Sequence, residues 1–529
     1  MHLGSRASEW RCTLDRRGFL RLGAMVGSGI AVGGALSSCV PAALGIGGEY
    51  FPTRTPTGSM LDLPASSSPI DHIVFVMLEN RSFDHYLGWL GGDEGYLERG
   101  RTLWGTDFSI DASVDQGFLD GAGIEHRTHS LAGGPEPYGY RGCGFADPGH
   151  SWGSGRAQRD RGFIGEGSNN DDYALGYHEA DDLPFMSRLA RRFTTFDRYH
   201  CSMLAATQPN RRYLHSAQSG GYKNNYIPLE ELGHQWDTIW DRLRVAGVPC
   251  RSYFSDLPSI AFWGPRMAQH TAGIDHYFAD CAAGRLPNVV HVDPPFLPWW
   301  QADDHPHCDP GAGQRFLRDV FRAFVESPCW ERGVFIVTYD EWGGFFDHVP
   351  PPVLPDLLAS GNDEDNFGQA GFRVPTIMAS PFARPGFVDH RTYDHTSILR
   401  FIEWRFLGAP PEGPAGEGWW LTPRDRAANN IGASLALTDP DADLFELDSL
   451  PLRQPTPLCN GTPQALWPGA QPDRTAHEFT PPPTTAVPTG SAVTKGGPGG
   501  DLLEAMEAGY FEQVGISGDF PSMAGTWAD

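Results

Sequence analysis

The chain has 529 residues, 40% of them hydrophobic, which is enough for one large domain with a sizeable core or for two smaller domains. Its formal net charge of −25 at pH 7 argues against nucleic acid as a partner, because a polyanion would be repelled. The charge does not exclude an anionic substrate, since a bound cation and a local arginine can reverse the potential inside a cleft.

The N-terminal segment is typical of a twin-arginine export signal. Arg16 and Arg17 precede a Gly- and Ala-rich run, residues 22–36, that is too short and too weakly apolar for a stable membrane span. Cys39 follows in a lipobox-like context that predicts a lipid anchor, and cleavage by an ordinary signal peptidase near Ala42 is the alternative. We therefore expect an exported protein, secreted or in the cell envelope, whose membrane contact is this anchor.

One catalytic domain is expected between irregular ends. After the signal, residues 1–39, the Gly-, Pro-, Ser- and Thr-rich residues 40–68 favour a flexible linker. The catalytic domain is predicted over residues 69–430. Residues 431–529 are rich in Pro, Gly and Thr and predict an extended or partly disordered tail with a short helix at 502–514.

Within the domain, short β-branched and aromatic runs alternate with helical patterns, which is typical of βαβ units. We predict an α/β fold with a central, mostly parallel sheet flanked by helices, and with long loops from about residue 90 to 180 over the active-site face. The predicted strands are 73–78, 333–338 and 374–379, and the predicted helices are 183–192, 235–246, 313–326 and 396–406.

Acidic and amide side chains follow two of these strands. Glu79 and Asn80 come after the first, and Asp340 and Glu341 come after the second. The carboxyl ends of parallel strands meet at one sheet edge, so these oxygen ligands could share one divalent cation, Mg²⁺, Mn²⁺ or Ca²⁺. Glu79 and Asn80 could equally cap a helix that begins near Ser82. An acidic loop bound to arginines or water is the alternative for Asp340 and Glu341.

The pentapeptide of residues 207–211 combines a hydroxyl with a guanidinium. Thr207 could attack phosphorus if the cation stabilised its alkoxide, and the planar donor fork of Arg211 suits phosphoryl oxygens. From these five residues alone, the better supported interpretation is a helix cap at Thr207 with Arg211 on a solvated face.

Histidine is the residue type expected to protonate a leaving alkoxide or hold a phosphate near neutral pH. The candidates in polar contexts are His150, His305, His348 and His395. Taken singly, each is more often structural than catalytic, and His395 could simply orient the turn before a helix.

Several longer motifs stand in order within residues 69–410. They are 72–87 (HIVFVMLENRSFDHYL), 207–211 (TQPNR), 339–351 (YDEWGGFFDHVPP), 373–381 (RVPTIMASP) and 395–405 (HTSILRFIEWR). Together they resemble the bacterial phosphoesterase family of non-specific phospholipases C and related acid phosphatases. That resemblance implies an alkaline-phosphatase-like α/β fold and metal-dependent phosphoryl transfer.

Particular site residues follow from the resemblance. It implies that the metal ligands are Glu79, Asn80, Asp340 and Glu341, and that Thr207 is the nucleophile and also contacts the metal. Thr207 stands where sulfatases of the same superfamily carry a modified cysteine, which argues against sulfatase activity.

Substrate contacts are implied as well. Asn210 and Arg211 would lie beside the phosphate. The histidines expected to bind phosphate or assist the leaving group are His150 and His305, followed by His348 and His395.

The chain departs from the family pattern in two places. Residues 253–276 lack the paired His-His of many members, which leaves open whether His270 or His276 takes that role, and we expect no C-terminal β-domains of the kind found in longer phospholipases C. Our first expectation is a phospholipid substrate, with Trp299 and Trp300 contacting a choline-type cation. The alternatives are a phosphomonoesterase acting on soluble phosphate esters and a non-catalytic surface protein that binds phosphate or metal.

Overall fold

In the computed structural model, the described residues are 56–132, 147–226, 233–297, 301–306, 308–413 and 416–452. The strands of the central sheet are β1 (His72–Leu78), β6 (Thr194–Phe196), β7 (Cys250–Phe254), β8 (Thr271–Gly273), β9 (Val289–Asp293), β10 (Gly333–Tyr339), β11 (Ile377–Ala379) and β12 (Val388–Asp389). They lie in the order β12-β6-β11-β10-β1-β9-β7-β8. Two small ribbons lie outside it, β2 (Gly117–Leu119) with β3 (Glu125–Arg127) and β4 (His129–Ser130) with β5 (Gly176–Tyr177).

The centre of the sheet is parallel. Strand β1 pairs in parallel with β10 on one side and β9 on the other, and Ile73 to Leu78 are all fully buried. Continuous β-branched and aromatic runs of this kind are typical of strands covered on both faces. Strand β11 runs antiparallel to its neighbours β10 and β6. The sheet is therefore mostly parallel, as predicted.

Helices cover both faces. They are α1 (Phe83–Leu87), α2 (Glu94–Trp104), α3 (Trp152–Arg161), α4 (Pro184–Arg192), α5 (Thr207–Ser216), α6 (Ile239–Val245), α7 (Ile274–Ala282), α8 (Pro310–Val325), α9 (Thr396–Ile402) and α10 (Pro423–Ala427). Trp240 of α6 packs on Phe75, and Phe321 of α8 packs on Phe335, with ring centroids 6.4 and 5.1 Å apart. Val74 is the register partner of Phe335, so Phe75 and Phe335 point to opposite faces.

Short 3₁₀ segments and one π turn complete the described elements. The 3₁₀ segments are Met60–Asp62, Ala65–Ser67, Gly88–Gly92, Asp172–Leu175, Ser259–His270 with a break at Gly264, Pro328–Arg332, Asp363–Asp365 and Ile431–Ser434, and the π turn is Glu403–Leu407. No helix within the described ranges has both the length and the apolar character needed to cross a bilayer.

Several predicted elements are shorter in the structure. The strand predicted at 374–379 begins only at Ile377, because Pro375 has no N–H to donate to a neighbouring strand. The helix predicted from residue 235 begins at Ile239, because Thr238 and Asp241 form a capping box there. The predicted helix 396–406 is α-helical to Ile402 and continues as the π turn.

Residues on both sides of the predicted 69–430 domain pack with it. Met60 and Leu61 are buried, and the Met60 N–H donates to the Leu435 carbonyl at 2.7 Å. Apolar residues of the predicted linker, such as Leu61, and of the predicted tail, such as Phe445, pack against the hydrophobic core. The folded part of the chain therefore extends beyond residues 69–430 at both ends. The export signal with Cys39, the helix predicted at 502–514, and Trp299 and Trp300 lie outside the described residues.

Candidate active site

Carboxylates from three adjacent strands meet at one edge of the sheet. In the strand order β10-β1-β9, Asp340 follows β10, Glu79 follows β1 and Asp293 ends β9. Glu79 is 6% exposed, and the other two are fully buried. Parallel neighbours place their carboxyl ends side by side, which explains why residues this distant in sequence converge.

Asn80 has a strained backbone that the next loop accommodates. Its φ of 60° is uncommon for a residue with a side chain. The Asn80 N–H donates to Asp340 Oδ1 at 3.0 Å, which fixes the amide against the neighbouring strand end. Gly343 has a φ of +63°, and a Cβ on it would lie 2.1 Å from the Asn80 carbonyl oxygen. The glycine therefore allows the two loops to approach each other.

Neither pair of predicted ligands is a helix cap. Ser82 caps α1 by accepting from the His85 N–H at 3.3 Å. Glu341 Oε2 accepts from the Gly343 N–H at 2.7 Å within the tight turn, and Glu341 Oε1 is buried without a hydrogen-bond partner. The capping interpretation of Glu79 and Asn80 is thereby wrong, and their side chains are available to the sheet edge.

Thr207 lies at this edge as the first residue of α5. The N-cap position belongs to Ala206, so Thr207 is not a cap, and its hydroxyl faces Asn80 Oδ1 at 3.5 Å. The start of a helix favours anions because its first N–H groups point outward and its dipole is positive there. A hydroxyl, an amide and several carboxylates are thus brought together from four separate parts of the chain.

Arg211 is fully buried among the carboxylates, rather than on a solvated face. Its Nη2, Nε and Nη1 lie 3.2, 3.4 and 3.6 Å from Glu79 Oε1, Asp340 Oδ2 and Asp293 Oδ1. Arg211 lies one helical turn after Thr207 and therefore on the same face of α5. That face points into the protein. The geometry therefore does not support the predicted contact of Arg211 with a substrate phosphate.

Asn210 is also directed inward. Its amide nitrogen donates to the carbonyls of Met203 and Ala205 at 3.1 and 2.8 Å, and its oxygen accepts from the Met203 N–H at 2.9 Å. With both ends of the amide bonded to backbone, Asn210 shapes the turn before α5 and does not contact a substrate in this arrangement.

The composition of the site fits a hard divalent cation. Glu79, Asp293 and Asp340 bring three buried carboxylates to the single guanidinium of Arg211, and Glu341 adds a fourth buried carboxylate beside Asp340. The carboxylates therefore outnumber the one positive group among them. Carboxylate, amide and hydroxyl oxygens are the donors that Mg²⁺, Mn²⁺ and Ca²⁺ prefer. Glu341 Oε1 and Asp340 Oδ2 are buried without hydrogen-bond partners, which is the state expected of ligand atoms.

Acid–base properties of these groups follow from their burial. Burial, and secondarily Glu79, raises the pKa of Asp340 to about 7. Burial also raises the pKa of Glu341 well above its usual range, with a further contribution from Asp340. Like charges held in a dry pocket favour the neutral form unless a cation offsets them, so the cluster would bind a cation in competition with protons.

His150 and His305 lie at the rim of the site. His150 Nδ1 donates to the Pro148 carbonyl at 2.7 Å, which leaves Nε2 facing the Asn80 amide at 3.5 Å. The rings of the two histidines are 6.2 Å apart, and His305 Nε2 lies 3.8 Å from Asp147 Oδ2. Both histidines are partly exposed, so they can reach a substrate.

His395 is placed differently. It is fully buried, and its Nε2 donates to the Asp340 carbonyl at 2.7 Å. Burial lowers the pKa of His395 to about 3, so the ring stays neutral at physiological pH. The predicted catalytic role is not supported, because a buried neutral ring bonded to backbone supports the Asp340 turn instead.

His348 belongs to a separate ionic cluster. Its ring nitrogens contact Asp84 and Asp111, and the buried Arg373 guanidinium binds Asp84 at 3.0 Å and Asp347 at 2.9 Å. Because both of its nitrogens are engaged, His348 is a structural residue in this arrangement rather than the predicted proton donor.

Among the described residues there are two groups of three side chains whose potential metal-ligand atoms all lie within 4.8 Å of one another. One is Asp147, His150 and His305, and the other is Asp84, Asp347 and His348. Arg373 already neutralises the second group. Neither group includes Glu79, Asp340 or Glu341. Arg211 is instead ion-paired with both Glu79 and Asp340. Cation binding by the predicted set stays a prediction.

The sequence-based prediction missed Asp147 and Asp293. Asp293 follows three valines and one histidine in residues 289–292, a largely apolar run like those that identified Glu79 and Asp340, and could have been found in that way. Asp147 precedes a Pro-Gly turn before His150, and nothing in its sequence context separates it from the other acids of the loop region.

Comparisons with known proteins agree on one family. The model of the Phosphoesterase family matches residues 70–407. Non-specific phospholipase C5 of Arabidopsis thaliana is 31% identical over 437 residues, which cover 74% of this chain and 78% of that protein. Phospholipase C B of Mycobacterium tuberculosis (strain CDC 1551 / Oshkosh) is 30% identical over 412 residues, or 66% of this chain and 75% of that protein.

Solved structures show only distant similarity. A protein in the alkaline phosphatase superfamily from Vibrio parahaemolyticus aligns with a TM-score of 0.33 and 10% identity, over 72% of this chain and 80% of that protein. The lipoteichoic acid synthase LtaP from Listeria monocytogenes aligns with a TM-score of 0.34 and 9% identity, over 76% and 82% of the two chains.

Proposed function

Because the chain belongs to the Phosphoesterase family and is thus a hydrolase of ester bonds, we propose that it is an exported, metal-dependent phospholipase C. Its substrate would be a phospholipid, cleaved between glycerol and phosphate. The observation that carries the proposal is the Thr207 hydroxyl, 3.5 Å from the Asn80 amide oxygen at the edge where Glu79 and Asp340 also lie. The names of the relatives favour a phospholipid over a soluble phosphomonoester.

The nucleophile in this proposal is Thr207. Its oxygen attacks phosphorus while the bond to the glycerol oxygen breaks, which leaves the phosphorylated headgroup on Thr207 and releases diacylglycerol. Water then hydrolyses this phosphothreonine. The leaving glycerol oxygen takes a proton in the first step, and a proton returns to Thr207 in the second, so each step requires a proton donor or acceptor at the rim.

His150 and His305 are suited to that proton transfer. They are partly exposed and lie on the side of Asn80 that faces the loop region, whereas His395 is buried behind Asp340. The Asp147 carboxylate lies 3.8 Å from His305 Nε2 at this rim. The start of α5 adds N–H groups and a positive dipole beside the phosphate.

Glu79, Asn80, Asp340 and Glu341 would hold one divalent cation together with the Thr207 oxygen. When bound, such a cation supplies Lewis-acid stabilisation of an alkoxide and of phosphoryl oxygens. Three residues around these groups hold them in position. His395 donates a hydrogen bond to the Asp340 carbonyl, and Gly343 leaves room for the Asn80 carbonyl because it has no Cβ. Arg211 offsets part of the negative charge of the carboxylates.

Replacing Thr207 by Ala tests the nucleophile. We expect Thr207→Ala to lose activity on both phosphatidylcholine vesicles and a small aryl phosphate, and Thr207→Ser to retain part of it because the hydroxyl is kept. Thermal unfolding of each variant controls for loss of fold. Activity of Thr207→Ala on either substrate would contradict the assignment, and wild-type turnover of the aryl phosphate alone would favour the phosphomonoesterase alternative.

Export by the twin-arginine route completes the proposal. The sequence carries Arg16 and Arg17 before an apolar run, and Cys39 is the predicted anchor position. An enzyme delivered outside the cytoplasm would meet phospholipids directly. Fractionation of cells that express Cys39→Ser would distinguish an anchored from a secreted protein, since loss of the anchor moves the protein into the medium.

A further inference from the structure

Asp293 is a buried carboxylate that the proposed reaction does not use. It ends β9, on the side of β1 opposite to Asp340, and is fully buried. Its Oδ2 accepts from the N–H and the hydroxyl of Ser259 at 2.9 and 3.1 Å. These bonds fix the carboxylate, so Oδ1 is left facing Arg211.

The three nitrogens of Arg211 divide between Asp293 and two predicted ligands. Nη1 faces Asp293, whereas Nη2 and Nε face Glu79 and Asp340. Nε and Nη1, Asp293 Oδ1 and Asp340 Oδ2 make no hydrogen bond although all four atoms are buried. Nη2 donates hydrogen bonds to Glu79 Oε1 at 3.2 Å and to the Met77 and Leu78 carbonyls at 3.3 Å. The other two nitrogens are held near Asp340 and Asp293 by charge alone.

From this arrangement we infer that Asp293 is a positioning residue, which holds the Arg211 guanidinium beside the ligand carboxylates and thereby sets the cation affinity of the site. The inference rests on the proposed function in so far as Glu79 and Asp340 bind a cation. A divalent cation and the guanidinium compete for those two carboxylates, because both are positive. Asp293 gives Arg211 a third partner, so Glu79 and Asp340 can turn to the cation while the arginine stays paired.

Asp293 is not itself expected to bind the cation. Its Oδ2 is occupied by Ser259, and the Arg211 guanidinium lies between its Oδ1 and the two ligands. His291, whose Nε2 lies 3.6 Å from Oδ1, closes another side of the carboxylate. Asp293 therefore acts through Arg211 and not on the substrate.

Titration with Mn²⁺ alone, followed by calorimetry, tests the inference without any substrate. We expect Asp293→Asn to weaken Mn²⁺ binding about tenfold, since it keeps the shape of the side chain and removes its charge. In an Arg211→Gln background the same substitution should have no further effect. The matched control is Asp389→Asn, which removes another buried carboxylate from an arginine, 3.1 Å from Arg391 at the far edge of the sheet. It should leave Mn²⁺ affinity unchanged.

Unchanged affinity in Asp293→Asn would overturn the inference, and so would an equal loss with and without Arg211. Should Asp293→Asn not fold, Asp293→Glu keeps the charge and is expected to retain the wild-type affinity, and a tenfold loss there would also overturn it. A wild-type protein that binds no Mn²⁺ would refute both the inference and the metal dependence of the proposed enzyme. Failure of the Thr207 assignment, in contrast, shows only in turnover and leaves the Mn²⁺ titration interpretable.

Discussion

The substitution Gly343→Ala tests whether close contact between the two ligand loops sets the geometry of the site. Gly343 has a φ of +63°, and a Cβ there would lie 2.1 Å from the Asn80 carbonyl oxygen. Contacts of Cβ atoms under 3.0 Å are essentially never observed, so the Asn80 loop would have to move by about 1 Å. Asn80 carries both the amide that faces Thr207 and the N–H that binds Asp340.

Two effects of different size are expected from this change. The positive φ costs an alanine about 1–2 kcal/mol of the free energy of unfolding. Displacement of Asn80 should reduce kcat/KM by about 100-fold, which is typical of a 1 Å misplacement near reacting groups. Gly247→Ala separates the two effects, because Gly247 has a φ of +71° with nothing within 4 Å of an added Cβ.

The assay is urea unfolding and turnover of phosphatidylcholine vesicles, measured on the same preparation of each variant. Gly247→Ala should lose stability and keep its activity, whereas Gly343→Ala should lose both. If Gly343→Ala retained the activity of Gly247→Ala, contact between the ligand loops would not control the site, and the reasoning would be refuted.

Further predictions concern charge, metal and export. Burial disfavours a charged His348, but its hydrogen bond to Asp84 prevails and raises the pKa to about 9. Stability from this pair is therefore complete below pH 6.5 and is lost as pH rises through about 9. Over that range the wild type should lose about 1–2 kcal/mol of unfolding free energy, allowing for solvent screening. Urea melts at each pH measure this loss, and the unfolding free energy of wild type should fall more steeply with pH than that of His348→Gln. Chelation by EDTA should abolish turnover, with recovery on adding Mn²⁺, Mg²⁺ or Ca²⁺, and full activity in excess EDTA would contradict the metal site. The double substitution Arg16→Lys and Arg17→Lys should keep the precursor in the cytoplasm, as judged by immunoblots of cell fractions. Normal export of this variant would argue against the twin-arginine route.

The central sheet could be predicted because its strands carry their own signal. The runs at 73–78 and 333–338 are continuous, β-branched and long enough that only a doubly covered strand fits them, and both form with boundaries shifted by one residue at most. Strand β11 is shorter than predicted because Pro375 precedes it, and β6 and β12 have three and two residues, too few for a period-two pattern to be recognised.

The position of the predicted ligand carboxylates could be predicted for the same reason, since each follows a strand whose direction and neighbours are set by the sheet. The orientation of α5 was not. Thr207 and Arg211 lie four residues apart, which places both on one helical face whether that face meets solvent or protein. The structure turns that face inward because the Asn210 amide binds the backbone of the preceding turn, a contact that a one-dimensional pattern does not contain.

An inward-facing Arg211 changes what the site requires. An arginine in solvent could bind a substrate phosphate directly, as the donor fork of its side chain suggests. A buried arginine needs partners of opposite charge, and here they are the carboxylates that would bind the cation, together with Asp293. Under the proposed function, phosphate recognition would then fall to the start of α5, the rim histidines and the cation, and Arg211 would affect catalysis by its charge beneath them. Removing the positive charge of Arg211 should therefore change the affinity for the metal more than it changes the affinity for substrate.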